Sequence, residues 1–145
     1  LIRFGVVHDD AGWPPVTAED IWSRPVDDGH FELLVIPVFA LGVSCNDIIS
    51  AKLRPDGLLE FVEVVTASEH STLRIIAADA EKSAELADLV RRRGCLVDMT
   101  WIPTLLAVDV PKQVDYTALK AWLDELEAEQ VLDYEEANLS EHHLT

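Results

Sequence analysis

Positive charge is scarce in this chain. Eleven lysines and arginines stand against 27 aspartates and glutamates, so the 145 residues carry a formal charge of −16. A nucleic-acid binder needs a basic face to displace counterions from phosphate, and docking on anionic lipid needs cations. Neither partner is expected here. Cysteine is scarce too: Cys45 and Cys95 are too few for a disulfide scaffold. The six glycines are scattered singly and match neither G-x-G-x-x-G nor a phosphate loop, which argues against the usual nucleotide enzymes. No long apolar run occurs. Leu33–Ile36 and Trp101–Val108 fall far short of a bilayer span. Leu1–His8 is broken by Arg3 and followed by no small-residue cleavage pattern. The expected setting is cytoplasmic, with reduced thiols, no membrane and no cofactor.

What is present can build a core. Hydrophobic residues make up 49% of the chain and mean hydropathy is +0.13, so disorder is not expected. The length suits one domain, or two small ones packed together. Residues 1–70 and 71–145 each carry −8, so the charge is no mere acidic tail. Its end is nonetheless extreme: from Asp124 onward there are eight acids and no lysine or arginine.

Residues 1–70 read as a small antiparallel β module, barrel or sheet. Ile2–Val7 is a candidate strand, and Gly12-Trp13-Pro14-Pro15 is a loop because proline removes a ladder donor. Ile21–Arg24 and Phe31–Ile36 flank Asp27-Asp28-Gly29; Asp47–Leu53 and Leu58–Thr66 flank Pro55-Asp56-Gly57. Asp-Gly supplies the positive φ that a tight hairpin requires.

Residues 71–145 alternate strand and helix. Ser71–Ala77 is a strand, and Asp79 caps a helix running to Arg93 with Leu86, Leu89 and Val90 on one face. Three arginines suit that helix's C-terminus, and Gly94 suits the left-handed position after it. Strands Cys95–Trp101 and Thr104–Val110 follow. Asp115 caps a second helix with the stripe Leu119, Trp122, Leu123 and Leu126, and Leu132–Leu139 closes the series. The order is β-α-β-β-α-β, which predicts a ferredoxin-like α+β module with both helices on one face of a four-stranded antiparallel sheet. The other face then needs a cover: the β module, a second copy in a homodimer, or a ligand.

Four segments together resemble a bacterial family known as domain of unknown function 4265. They are Ala18–Trp22, Ile36–Ile49, Glu69–Arg74 and Leu106–Pro111, with His70-Ser71-Thr72-Leu73-Arg74 the most distinctive. The resemblance spans most of the chain. It implies a shared fold and brings no activity, cofactor or catalytic residue.

His70, Thr72 and Arg74 share one parity of a strand, opposite Ser71, Leu73 and Ile75. An imidazole, a hydroxyl and a guanidinium together suit a carboxylate or phosphate. This trio is the candidate ligand site, with Asp98 and Thr100 able to share its face; the plainer alternative pairs Arg74 with one of the many acids. Other chemistry is weaker. Cys45 sits beside Asn46-Asp47 with no base, and Cys95 follows a helix C-terminus, so both read as inert core thiols. Ser71 and His70 are strand neighbours on opposite faces and form no catalytic pair. Asp27-Asp28 and Glu135-Glu136 say little in so acidic a chain. Among His8, His30, His70, His142 and His143, only the terminal pair is closely spaced, and such a pair reads as solvated, so no metal site is expected.

The leading expectation is a non-catalytic binding or interaction protein that takes a small anionic ligand or a partner segment at His70, Thr72 and Arg74. The alternative is an acidic inhibitor or immunity-type protein covering a basic partner, with charge steering its approach. A third is a small enzyme using His70 as base and Arg74 as anion clamp.

Overall fold

The computed structural model describes residues 1–144, which form two compact units, Leu1–Ser68 and the chain from Glu69 onward. The protein is a mixed α+β structure, mostly strands, with two sheets and two helices.

The first unit contains β1 (Ile2–Gly5), β2 (Ala18–Ile21), β3 (Ser23–Asp27), β4 (His30–Leu33), β5 (Ile48–Leu53) and β6 (Leu59–Thr66). They form one sheet in the order β2-β1-β6-β5-β4-β3. The edge strands β2 and β3 are consecutive and separated only by Trp22. One bent segment therefore supplies both edges, and the sheet curls around Ile2, Phe4, Ile21, Leu33, Val43 and Ile49. Both Asp-Gly hairpins form where the sequence places them, β3–β4 and β5–β6.

Two features depart from expectation. The module is not purely antiparallel, because β1 pairs with β6 in parallel through Ile2 and Leu59. A parallel pair needs a long connection and has no local sequence signal. The strand Ala18–Ile21 was not foreseen either, because alanine, glutamate and aspartate are poor strand formers.

The second unit contains β7 (Ser71–Ala77), α1 (Ser83–Arg92), β8 (Leu96–Met99), β9 (Leu105–Val110), α2 (Tyr116–Ala128) and β10 (Leu132–Asn138). The sheet order is β10-β7-β9-β8, antiparallel throughout. Leu73, Ile75 and Ala77 of β7 pack in one cluster with Leu86, Ala87 and Val90 of α1 and Leu119 and Leu123 of α2. Both helices thus lie on the face carrying the odd residues of β7. Asp79 caps a 3₁₀ turn (Ala80–Lys82) leading into α1, and Asp115 accepts from the Ala118 amide to cap α2. Gly94 has φ +94°, as the residue after α1 requires, and a Cβ there would stand 3.2 Å from Val114. Arg93 lies 4.0 Å over the Trp122 ring, tying the end of α1 to α2. A 3₁₀ turn (Glu141–Leu144) ends the described chain.

Candidate functional site

Strand β7 carries Thr72 and Arg74, two of the three predicted ligand residues, with His70 just before it, and the neighbouring strands face Thr72 and Arg74 in register. Thr72 stands opposite Asp109 of β9, and Arg74 opposite Glu135 of β10. The open face expected at these positions is not there. Thr72 is fully buried and Arg74 is 6% exposed, beside Leu105, Ala107 and Asp109 at 0%. Arg74 is also committed: its Nη2 lies 2.7 Å from Glu135 Oε2. This is the pairing with an acid that the sequence held as the plainer alternative. His70 is partly exposed and donates from Nδ1 to the Asp109 carboxylate at 2.8 and 3.0 Å. The Asp109 carboxylate is itself fully buried. Asp98 shares this face opposite Ala107, but Thr100 turns into its own loop and donates to the Leu105 carbonyl.

The odd parity of β7 holds what the sequence missed. Ser71 does pair with a histidine, but not its neighbour. Its Oγ lies 2.6 Å from Nδ1 of His143, seventy-two residues away. His143 is buried, which corrects the reading of His142-His143 as a solvated pair. Its Nε2 bonds the Pro111 carbonyl at 3.1 Å, and its ring lies 5.7 Å from Tyr116. Burial, with His142 and His70 adding to it, holds the His143 pKa below the ordinary imidazole value against two backbone bonds that raise it. Ser71 is fully buried, so the pair is a tie between segments and not an exposed nucleophile. Nearby, Lys112 pairs with Glu69 at 2.5 Å.

The α2–β10 side carries a second polar network. Tyr116 donates to Glu136 at 2.6 Å; Lys120 donates to Tyr134 at 2.7 Å, and Tyr134 donates to Asp124. Burial first, then the bond to Glu136, pushes the Tyr116 phenol well up. The bond to Tyr134 raises the Lys120 ammonium. Lys120 is the last cation of the chain apart from histidine, and this network engages it. Beyond it, Glu125, Glu127 and Glu129 stand exposed at the C-terminal end of α2, whose last turn has no basic residue.

In the first unit the segments Ala18–Trp22 and Ile36–Ile49 meet through Glu19, and Asp47 ties the second of them to Ser68. Glu19 accepts from the backbone amides of Val38, Phe39 and Ala40 at 2.8–2.9 Å. The buried Asp47 accepts from Ser44 at 2.9 Å and Ser68 at 2.8 Å. Asp47 three residues after Ser44 is a local turn signal; Glu19 had none. Cys45 and Cys95 are buried thiols outside any disulfide. Burial, with the Asp109 charge, pushes the Cys95 thiol up to about 11. Among the described residues, no group of three or more His, Cys, Asp or Glu is placed to hold a metal, and no helix is long and apolar enough to cross a membrane.

Two comparisons give the chain its relatives. A crystal structure titled as a novel structure of a hypothetical protein from Neisseria gonorrhoeae is similar, with TM-score 0.81 and 25% identity over 96% of this chain and 94% of that one. No curated protein matches. The model of the family described as a domain of unknown function matches residues 19–134. That span holds most of the paired elements above, and the chain belongs to this family, DUF4265.

Proposed function

We propose that this is a non-catalytic interaction protein that docks a basic partner on the acidic end of α2 and the adjoining strand β10, carried on a ferredoxin-like module. The observation supporting it is a contrast between two helix ends. The C-terminus of a helix is its negative pole, where cations stabilise and anions cost. Helix α1 ends on Arg91 and Arg92. Helix α2 ends on Asp124, Glu125 and Glu127, with Glu129 as its cap residue and no base in the last turn. This placement works against the helix, as groups placed for function commonly do. By contrast, Arg74 already faces Glu135, and Ser71 already holds His143. That weakens the small-anion and enzyme readings, in which such groups must meet a ligand.

The test compares two triple variants in the full chain. One neutralises Glu125, Glu127 and Glu129 to Gln. The other neutralises the exposed Asp10, Asp28 and Glu63 of the first unit to Asn or Gln. Binding to a basic probe protein, cytochrome c, is measured at low and moderate salt. The helix-end variant should weaken binding about tenfold and lose salt dependence, the control much less. Equal loss in both would reduce the effect to diffuse net charge and sink the proposed face.

A further inference from the structure

The first unit carries two Asp-Gly turns, and they are bonded differently. In the β5–β6 turn both groups of the dipeptide are engaged. The Asp56 carboxylate accepts from the Leu58 amide at 3.1 Å and pairs with Arg54 Nη2 at 3.0 Å. The Gly57 amide donates to the Arg54 carbonyl at 3.0 Å. In the β3–β4 turn Asp28 and Gly29 are both exposed. Among the described residues, neither the Asp28 carboxylate nor the Gly29 amide has a hydrogen-bond partner. The ties of this turn fall elsewhere: Asp27 Oδ1 pairs with His30 Nδ1 at 2.6 Å, and the Gly29 carbonyl accepts from the Ala51 amide at 3.4 Å.

The difference bears on a reaction that an Asp-Gly pair undergoes without a catalyst. The amide nitrogen of the following residue attacks the aspartate side-chain carbon and closes a succinimide ring. Three conditions favour it. The side chain must be able to turn back over its own backbone. The amide hydrogen must be open to water, because the nitrogen attacks as it gives up its proton. The next residue must be small, because a Cβ would crowd the approach. Gly29 meets the last condition, at φ +77°. The unbonded carboxylate and amide meet the first two. At Asp56 the bonds to Leu58 and Arg54 hold the side chain, and the Gly57 hydrogen is taken. Breaking those bonds first adds to the barrier. Asp27 is disfavoured as well: His30 holds its carboxylate, and Asp28 follows it with a full side chain.

We propose that Asp28–Gly29 is a self-modification site that converts to isoaspartate in the folded protein, while the bonds of its own turn protect Asp56–Gly57. Gly29 N bonds to Asp28 Cγ, the Cγ–OH bond of the protonated carboxyl breaks, and the hydroxyl leaves with the amide proton as water. Water then reopens the cyclic imide. Attack at Cγ restores aspartate. Attack at the backbone carbonyl carbon leaves Gly29 joined through Cγ, with a new free α-carboxylate. No oxidant or cofactor enters, and the mass is unchanged. The product chain is one methylene longer in the turn, between the paired residues Asp27 and His30. The inference is independent of the docking face proposed above.

The full chain is aged for weeks at neutral pH and body temperature and then digested. Its peptides are separated and fragmented by electron transfer, which distinguishes isoaspartate from aspartate. Isoaspartate should accumulate several-fold faster at Asp28 than at Asp56. In denaturant, where both turns are lost, that preference should disappear. Asp28→Glu keeps the charge but closes the ring poorly, so it should remove the product from its peptide. Equal accumulation at both positions in the folded chain, or none at Asp28, would overturn the proposal. So would the same preference in denaturant, which assigns the selectivity to neighbouring residues and not to the fold. A product that persists in Asp28→Glu would place the chemistry at Asp27 and overturn it too.

Discussion

The two units tie their segments together with different chemistry. In the first, carboxylates hold loops by accepting from backbone amides: Glu19 takes three and Asp47 two. In the second, side chains bond to side chains of distant segments, and two of those bonds use histidine: His70 with Asp109, and Ser71 with His143. A carboxylate–amide tie stays charged throughout the neutral range, whereas an imidazole changes state within it. The difference teaches where this protein is stiff and where it can respond. The first unit's loops are stapled by carboxylates on amides, whereas in the second the buried Ser71–His143 bond hangs on an imidazole whose pKa burial holds low.

The largest effect should come from removing a staple. Asp47→Ala strips the acceptor from the Ser44 and Ser68 amides in a buried site, and each orphaned donor costs about 1–3 kcal/mol. A loss of about 3 kcal/mol in chemical denaturation is expected, read from the first unit. Asp47→Asn keeps one acceptor oxygen and should lose less. If Asp47→Ala is as stable as wild type, the contrast between the units fails at its stronger end.

Gly94→Ala probes the second unit without touching its polar ties. The residue sits at φ +94° and its new Cβ would press on Val114 at 3.2 Å, so a loss of about 1–2 kcal/mol is expected in thermal or denaturant unfolding.

Acid should separate the units by sign. A histidine whose folded pKa lies below its unfolded value leaves stability at its maximum above the unfolded value, near 6.5. As pH falls through that value the unfolded form takes up the proton first, and stability drops until the folded pKa is passed. The His143 turn should therefore loosen in the window just below 6.5, while the amides held by Glu19 and Asp47 stay protected.

How much of this could be read from sequence follows from the range of each signal. Asp-Gly hairpins, the caps Asp79 and Asp115, Gly94 and the two apolar stripes act within a few residues, and the strands and helices they mark are present. The β1–β6 pairing joins segments nearly sixty residues apart and has no local mark. Thr72 and Arg74 do share one parity of β7, but their accessibility was not legible, because burial and the Glu135 partner are set by register with β10. His143 was misread for the same reason: an adjacent histidine pair looks solvated until its partner Ser71 is known.

The smallest effect sharpens the comparison from the surface. Arg3 and Asp20 form a two-pronged pair on the first unit at 2.9 and 3.0 Å, with geometry as good as that of any buried tie. Both side chains are more than a third exposed, at 38% and 39%. Water and salt screen such a pair, and holding two long side chains in one arrangement costs entropy. The hydrogen bond lowers the Asp20 pKa and raises that of Arg3, but little of that reaches stability when both groups are so well solvated. Arg3→Ala should leave the denaturation midpoint within experimental error in moderate salt, with any loss confined to low salt. A destabilisation rivalling Asp47→Ala would mean that ion-pair geometry, and not burial, decides which ties hold the first unit.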